Sequence, residues 1–441
     1  MKAEQIIRRV LLSLFSLFIV GAGILFFLLR DPEGLTIDNP RFEKEDQTII
    51  DNLMPRIMRY LSSLPGYEGK ICFGLLLTAK DGIPTKVLNL TAVNPALGSS
   101  FSSFLSHDGF QLADEMFYSP SRESLAGYVE TLSPENLEKI IKPPVDISMD
   151  ELEKGERYII GAGFNYSTHK EETASDVDKF LFPKFVAPTG AYEPVSLGTG
   201  GPLPGGTRAI TDYEVEIGFV LLEEVDLSNP PRDRKAFLDR IAFFTANDVS
   251  DRWPVILKGD EGYTVSKSHP TYLPIGPWMV HGRYLNIRTR GGGEEEVRLF
   301  LRIDEKEPFP GGTWRQDASS GDMIRGPLEI IGMIAEIYAE SRRPDREGVM
   351  RHVARQESDR VVIPAGSIIL TGTTEGTAIE APTMMDRARL IALGNLSMNK
   401  AKLAFALHCV KNRKEMGFLH VGDIVETRIQ HLGKQRWEVQ K

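Results

Sequence analysis

Cysteine is almost missing from this chain: there are two, Cys72 and Cys409, in 441 residues. Two thiols cannot build a disulfide framework or a four-thiolate zinc site. Both stand among apolar neighbours, where a buried reduced thiol is the usual state. A basic excess is missing too. Lys plus Arg total 52 against 61 for Asp plus Glu, a formal charge of −9. Nucleic acid is gripped through its phosphates by basic surface, so no nucleic-acid partner is expected. What remains is an ordinary globular composition, 41% hydrophobic and 26% charged. It excludes disorder over most of the length, and a collagen-like or low-complexity chain.

Long apolar runs are also lacking, with one exception. Val10 to Leu29 is uncharged and almost wholly apolar. Twenty residues at ~1.5 Å each cover ~30 Å, the hydrocarbon thickness of a bilayer. A cleaved signal peptide has a shorter apolar core and a small-residue cleavage site. Here Arg30, Asp31, Pro32 and Glu33 follow directly. A core helix at the extreme N-terminus would show a polar face. The run therefore reads as a single-pass transmembrane anchor, with the membrane as a partner. Basic residues nearly balance across it: Lys2, Arg8 and Arg9 before, Arg30, Arg41 and Lys44 after. The amino terminus and the Arg8–Arg9 pair tip the expectation towards a cytoplasmic N-terminus and an extracytoplasmic body.

The rest divides by texture. Residues 31–154 read as a stalk and a small α/β accessory domain, with a helical period resuming over Ile57 to Leu61. Cys72 to Thr78 and Val87 to Leu90 read as strands about a turn at Asp81–Gly82. From 155 to 441, glycine and proline punctuate short apolar runs. Tyr158–Ile160, Glu214–Leu222, Ile241–Ala246, Val297–Ile303, Val361–Ile363 and Ser367–Leu370 read as strands. Ile324 to Glu340 reads as a helix, and so does Met385 to Val410, within an insertion of about 381–417. Gly198, Gly200 and Gly201 are not a phosphate loop, since no Lys–Ser/Thr pair and no helix start follow.

Four groups of residues could carry chemistry. Glu214 and Glu216 fall two apart in a strand and so share one face. Two carboxylates in an apolar strand repel each other and lose hydration unless a cation neutralises them. Alone, the pair reads first as a solvated face. Asp248, at the end of the next strand, supplies a third acid. Three carboxylates make a hard oxygen site suited to Mg²⁺ or Mn²⁺, with Ca²⁺ a further candidate. His169 and Glu172, three apart, share one face of a helical turn, where the acid can orient the imidazole as a base for water. A solvated surface turn is the plainer alternative. Lys267 lies in an uncharged stretch and could neutralise a substrate carboxylate or an enolate. The turn Leu370 to Gly376 offers hydroxyls and backbone N–H groups.

Six segments occur together: GAGFNYSTHKEE (Gly161–Glu172), DYEVEIGFV (Asp212–Val220), NDVSDR (Asn247–Arg252), SKSHPTYLPIGPW (Ser266–Trp278), PAGSIILTGTTEG (Pro364–Gly376) and GDIVETRIQHLG (Gly422–Gly433). Their order resembles the fumarylacetoacetate hydrolase superfamily, including acylpyruvate hydrolases and 2-hydroxyhepta-2,4-diene-1,7-dioate isomerases. The resemblance implies an α+β fold, a β-rich mixed-sheet roll with flanking helices, and a homodimer. It matches Glu214, Glu216 and Asp248 to metal carboxylates. It matches His169 and Glu172 to a water-activating pair on a short lid, and Lys267 to an active-site lysine. Tyr166, Arg252 and Thr373 fall at substrate-lining positions. The implied reaction is hydrolysis of a C–C bond in an acylpyruvate-like 2,4-dioxo acid. Decarboxylation, isomerisation or hydration of a 2-oxo acid at the same site, and metal-dependent binding of a small acid without chemistry, are the alternatives. The chain departs from the pattern at four places. Ala187 stands where many relatives carry a lysine, and Val255 where the fumarylacetoacetate-cleaving enzymes carry a glutamine. Thr168 replaces an acid, and Thr374 replaces the proline of the usual turn.

Overall fold

A computed structural model of the chain describes residues 54–118, 122–172, 178–198, 208–304, 313–341, 352–379 and 397–441. Its centre is a twelve-stranded mixed sheet. Ten strands follow one another across it: Val129–Thr131, Ile83–Asn89, Ile71–Lys80, Arg56–Leu61, Pro274–His281, Ile241–Asn247, Val215–Leu221, Ile368–Leu370, Ile159–Ala162 and Leu181–Pro183. Most neighbours are antiparallel, but Ile368–Leu370 pairs parallel with Ile159–Ala162. Two short strands join off this path, Ile141–Lys142 on Arg56–Leu61 and Thr189–Gly190 on Pro274–His281.

The strands Val215–Leu221, Ile241–Asn247 and Pro274–His281 are buried at every residue, and mostly apolar, because both faces are covered. Along Val215–Leu221, side chains alternate between two cores. Val215, Ile217, Phe219 and Leu221 pack with Leu299, Leu301, Val425 and Trp437. Those partners belong to a five-stranded sheet ordered Thr313–Ser319, Arg298–Asp304, Ile424–Ile429, Gly433–Gln440 and Val195–Ser196. Val220 faces the other way, into the core that contains Phe101, Phe104, Phe244 and Ala246. The period of two therefore puts Glu214, Glu216 and Asp248 on the face opposite the five-stranded sheet. Buried amides tie the two sheets together: Gln435 Nε2 donates to the carbonyls of Thr245 (2.9 Å) and Pro274 (3.1 Å).

Most expected strands appear within a residue or two of their predicted bounds; the one expected at Val87–Leu90 begins four residues earlier, at Ile83, and the helix expected from Ile324 runs over Pro327–Ser341 with proline in its first turn. Ile57 to Leu61 is different. It is a strand, not a helix, because it is clasped between Ile71–Lys80 and Pro274–His281. Five residues are too few for periodicity to separate the two states. The pairing of Arg56 with Val280 also carries the sheet without a break from the N-terminal segment into the C-terminal one.

The membrane placement is corrected. Among the described residues no helix is long and apolar enough to cross a membrane. Pro327–Ser341 and Met398–Lys411 are the longest there, at 15 and 14 residues. At 1.5 Å per residue neither exceeds ~23 Å, short of the ~30 Å a span needs. This overturns the expected single-pass localisation and leaves the transmembrane helix without support. The Val10–Leu29 run that suggested it lies outside the described residues, as does the part of the expected 385–410 helix before residue 397.

Candidate active site

Register brings the acids together. Val215 pairs with Asn247 and Glu216 with Ala246, so the residues flanking these pairs meet at one end of the two strands. The Asp248 N–H donates to the Glu214 carbonyl at 2.9 Å. Carboxylate oxygens of Glu214, Glu216 and Asp248 lie within 4.8 Å of one another, and all three residues are buried.

The surrounding charges are unequally shared. Lys267, the last residue of the Tyr263–Lys267 helix, places Nζ 2.6 Å from Glu214 Oε2, 2.7 Å from Asp248 Oδ2 and 2.8 Å from Ser250 Oγ. Arg252 donates through Nη2 to Glu214 Oε1 at 2.5 Å and through Nε to Asp212 Oδ2 at 2.9 Å. Asp212 in turn accepts from the Ala378 N–H at 2.8 Å. Glu216 has no ion pair among the described residues. One of its oxygens accepts the Gly372 N–H at 2.7 Å.

The titration behaviour follows. Burial works to raise Glu214, but Lys267, Arg252 and His169 outweigh it and hold the carboxyl at about 2. Burial and the neighbouring Asp248 and Glu214 carboxylates push Glu216 well above the usual carboxylate range. Lys267 rises despite its burial, because Asp248 and Glu214 face it.

His169 sits on the short helix Ser167–Glu172 and is 7% exposed, its ring stacked near Phe164. Its charge is among the influences that lower Glu214. Glu172 closes the same helix, and its side chain lies outside the described residues. Thr373 is buried on the turn after Ile368–Leu370, its Oγ1 donating to the Val215 carbonyl at 3.0 Å. Tyr166 is fully buried, and its hydroxyl has no hydrogen-bond partner among the described residues. Burial, followed by nearby Glu216, drives that phenol far upwards.

Three important residues escaped the sequence reading. Lys184 is the first, and it corrects the significance given to Ala187. The cation comes from three positions earlier. The Lys184 ammonium is paired with Asp248 Oδ1 and donates to the Tyr272 carbonyl at 2.6 Å, fully buried. Burial lowers its pKa against the pull of Asp248. A charge inside the apolar run Phe180 to Val186 was the available signal. Asp212, which orients Arg252, was visible only as the acid before the strand. Gln316 had no signal at all.

Hard oxygen ligands, one carboxylate without a cation, and an unsatisfied buried phenol beside it together fit a divalent ion. The family described as Fumarylacetoacetate (FAA) hydrolase C-terminal matches residues 158–440. The chain belongs to the fumarylacetoacetate hydrolase family. Members of this family are hydrolases or isomerases that act on C–C bonds, and they use divalent metals. The chain is 22% identical over 289 residues to a 2,4-didehydro-3-deoxy-L-rhamnonate hydrolase of Sphingomonas sp. (strain SKA58), covering 65% of this chain and 74% of that protein. It shares its fold with a fumarylacetoacetate hydrolase from Exiguobacterium antarcticum at TM-score 0.52 and 16% identity, over 88% of this chain and 99% of the other. Within this family member, the metal-fit residues and the three buried cations occupy one end of the central sheet.

Proposed function

We propose that this family member is a divalent-metal-dependent hydrolase that cleaves a C–C bond in an acylpyruvate-like 2,4-dioxo acid. The observation that carries the reading is the meeting of Glu214, Glu216 and Asp248 in a buried cluster where, among the described residues, the cations pair with Glu214 and Asp248 and not with Glu216. These three would hold the metal, Mg²⁺ or Mn²⁺. When bound, the ion supplies Lewis acidity to the oxygens of a 2-oxo acid. Lys267 and Lys184 add fixed positive charge on the same side, where negative charge develops as the bond breaks. Arg252, Thr373 and Tyr166 line the substrate. His169, oriented by Glu172, takes a proton from water. The water oxygen bonds to the 4-oxo carbon, and the C3–C4 electron pair becomes a pyruvate-type enolate, which is then protonated. The hydrolase name of the Sphingomonas relative is in line with water as co-substrate.

The test incubates the chain with a panel of acylpyruvates and oxaloacetate, with Mg²⁺, Mn²⁺ or chelator. Metal-dependent loss of the enol absorbance, with a carboxylic acid and pyruvate as products, is expected. His169→Ala should lose turnover by a factor of about 10²–10⁴ while still binding metal. Carbon dioxide or an isomer as product would move the chain to the lyase or isomerase branch. Full turnover by His169→Ala would remove the base assignment.

A further inference from the structure

We infer that Gln316 is the positioning residue of this site: its amide locks the Glu214/Glu216 strand to the turn that holds Glu216. The inference rests on the metal reading above and adds a residue outside every motif that led to it.

Val215 stands between the two acids, so whatever fixes its peptide groups fixes both carboxylates. Its N–H donates to Gln316 Oε1 at 2.9 Å. Its carbonyl accepts the Thr373 hydroxyl at 3.0 Å. Gln316 Nε2 donates to that same hydroxyl at 2.9 Å, and to the Thr374 carbonyl at 3.1 Å. The three residues close a loop in which every donor meets an acceptor. A threonine hydroxyl can give one proton and receive another, and both uses are filled. The orientation of the amide is dictated by its backbone partners: its oxygen faces an N–H, and its nitrogen faces a carbonyl. Gln316 is 1% exposed, so no water competes.

The turn so held is the one that matters electrostatically. Gly372, one residue before Thr373, gives its N–H to Glu216 Oε2 at 2.7 Å. Gln316 therefore sets the distance between Glu216 and its donor from outside both elements. The backbone explains how a strand of the second sheet reaches in. Leu301 pairs with Gln316 but Arg302 pairs with Trp314, leaving Arg315 as an extra residue. Such a bulge twists a strand and re-aims the side chain beside it. The turn rests on this bulge: a Cβ on Gly376 would lie 1.9 Å from the Arg315 carbonyl oxygen.

Mn²⁺ titration followed by electron paramagnetic resonance, with a thermal melt of each protein, tests this. Wild type should bind Mn²⁺, and Glu216→Gln should not. Gln316→Leu and Thr373→Val should each weaken binding 10–100-fold, the usual cost of removing a group that orients a ligand. The double variant should be little worse than either single one, because they break one loop. Thr373→Ser, which keeps the hydroxyl, should restore wild-type affinity. Gln316→Glu keeps the acceptor for Val215 and loses the donors, so it should also weaken binding, and it serves if the leucine variant does not fold. Wild-type affinity in folded Gln316 variants, even with a lower melting temperature, would overturn the inference and leave the metal reading intact. Fully additive losses would overturn it as well. Absence of Mn²⁺ binding by the wild type would overturn both.

Discussion

Glu214 and Glu216 are two positions apart and have opposite electrostatic fates. Glu214 is held by Lys267 and Arg252, whereas Glu216, among the described residues, receives a backbone N–H and no ion pair. Replacing them should therefore do different things. Glu214→Ala takes one carboxylate from each of two buried cations, leaving Lys267 to Asp248 and Arg252 to Asp212, and breaking a buried pair costs up to about 3–5 kcal/mol. Chemical denaturation should show a loss of that order. Glu216→Gln removes a like charge that burial penalises, so the metal-free protein should melt at the same or a higher temperature while losing metal. A marked drop in metal-free stability would show that Glu216 has an unrecognised cation partner. His281 supplies a separate pH dependence. It lies in Pro274–His281 on the Phe110 ring, with Arg283 against it and Asp114 and Asp239 paired to that arginine. Burial, reinforced by Arg283, lowers its pKa to about 3. The folded state thus binds fewer protons than the unfolded state between about pH 6.5 and 3. The contribution of His281 is present in full above pH 6.5 and is lost as pH falls through that window. His281→Gln should flatten the stability profile there, as read by urea midpoints at several pH values. An unchanged slope would assign the acid sensitivity elsewhere.

At the scale of elements, the turn from Thr371 to Gly376 is held by chain geometry as much as by hydrogen bonds. Gly372 and Gly376 both have positive φ, 90° and 89°. Gly376 has no room for a methyl group, so Gly376→Ala combines backbone strain with a clash against a carbonyl. A loss of about 2–4 kcal/mol is expected, of the size known for strain and overpacking together. Denaturant unfolding measures it, and Mn²⁺ affinity should fall alongside, since the turn carries the donor to Glu216. A stable Gly376→Ala with unchanged metal binding would mean that the turn and the bulge move independently. The elements themselves were largely legible. Ile217–Leu221 and Ile241–Phe244 are short runs without a polar side chain, of the kind a doubly covered strand needs. Ile57 to Leu61 was not legible, because its partners come from 10 to over 200 positions away.

For the whole molecule, the helix Met398–Lys411 leaves Met398, Leu403 and Leu407 exposed at 61%, 42% and 51%. The homodimer implied by the family resemblance would have reason to cover these side chains. Light scattering should then give twice the 49.2 kDa of one chain. Leu403→Asp with Leu407→Asp should bring it back towards a single chain if this helix is the interface. A dimer unaffected by the pair of aspartates would place the contact on another face, and a monomeric wild type would remove the dimer altogether.

The sequence by itself determined the family, the acidic triad, the lysine at 267 and the histidine on its short helix. The family was legible as a resemblance carried by six segments in order; the acids, the lysine and the histidine are local patterns: a two-residue period, a strand end, a charge in an uncharged stretch, a three-residue spacing. Only the tertiary structure decided that Lys184 is the second ammonium, that Asp212 steers Arg252, and that Gln316 clasps the strand and the turn. It also decided against a spanning helix among the described residues, where the sequence had suggested a membrane-bound body. The reason is one of range. A period or a composition shift is written in neighbouring residues. The partner of a buried charge or amide is set by strand pairing and sheet packing, and for Arg252 with Asp212, Lys184 with Asp248 and Gln316 with Val215 it comes from 40, 64 and 101 positions away.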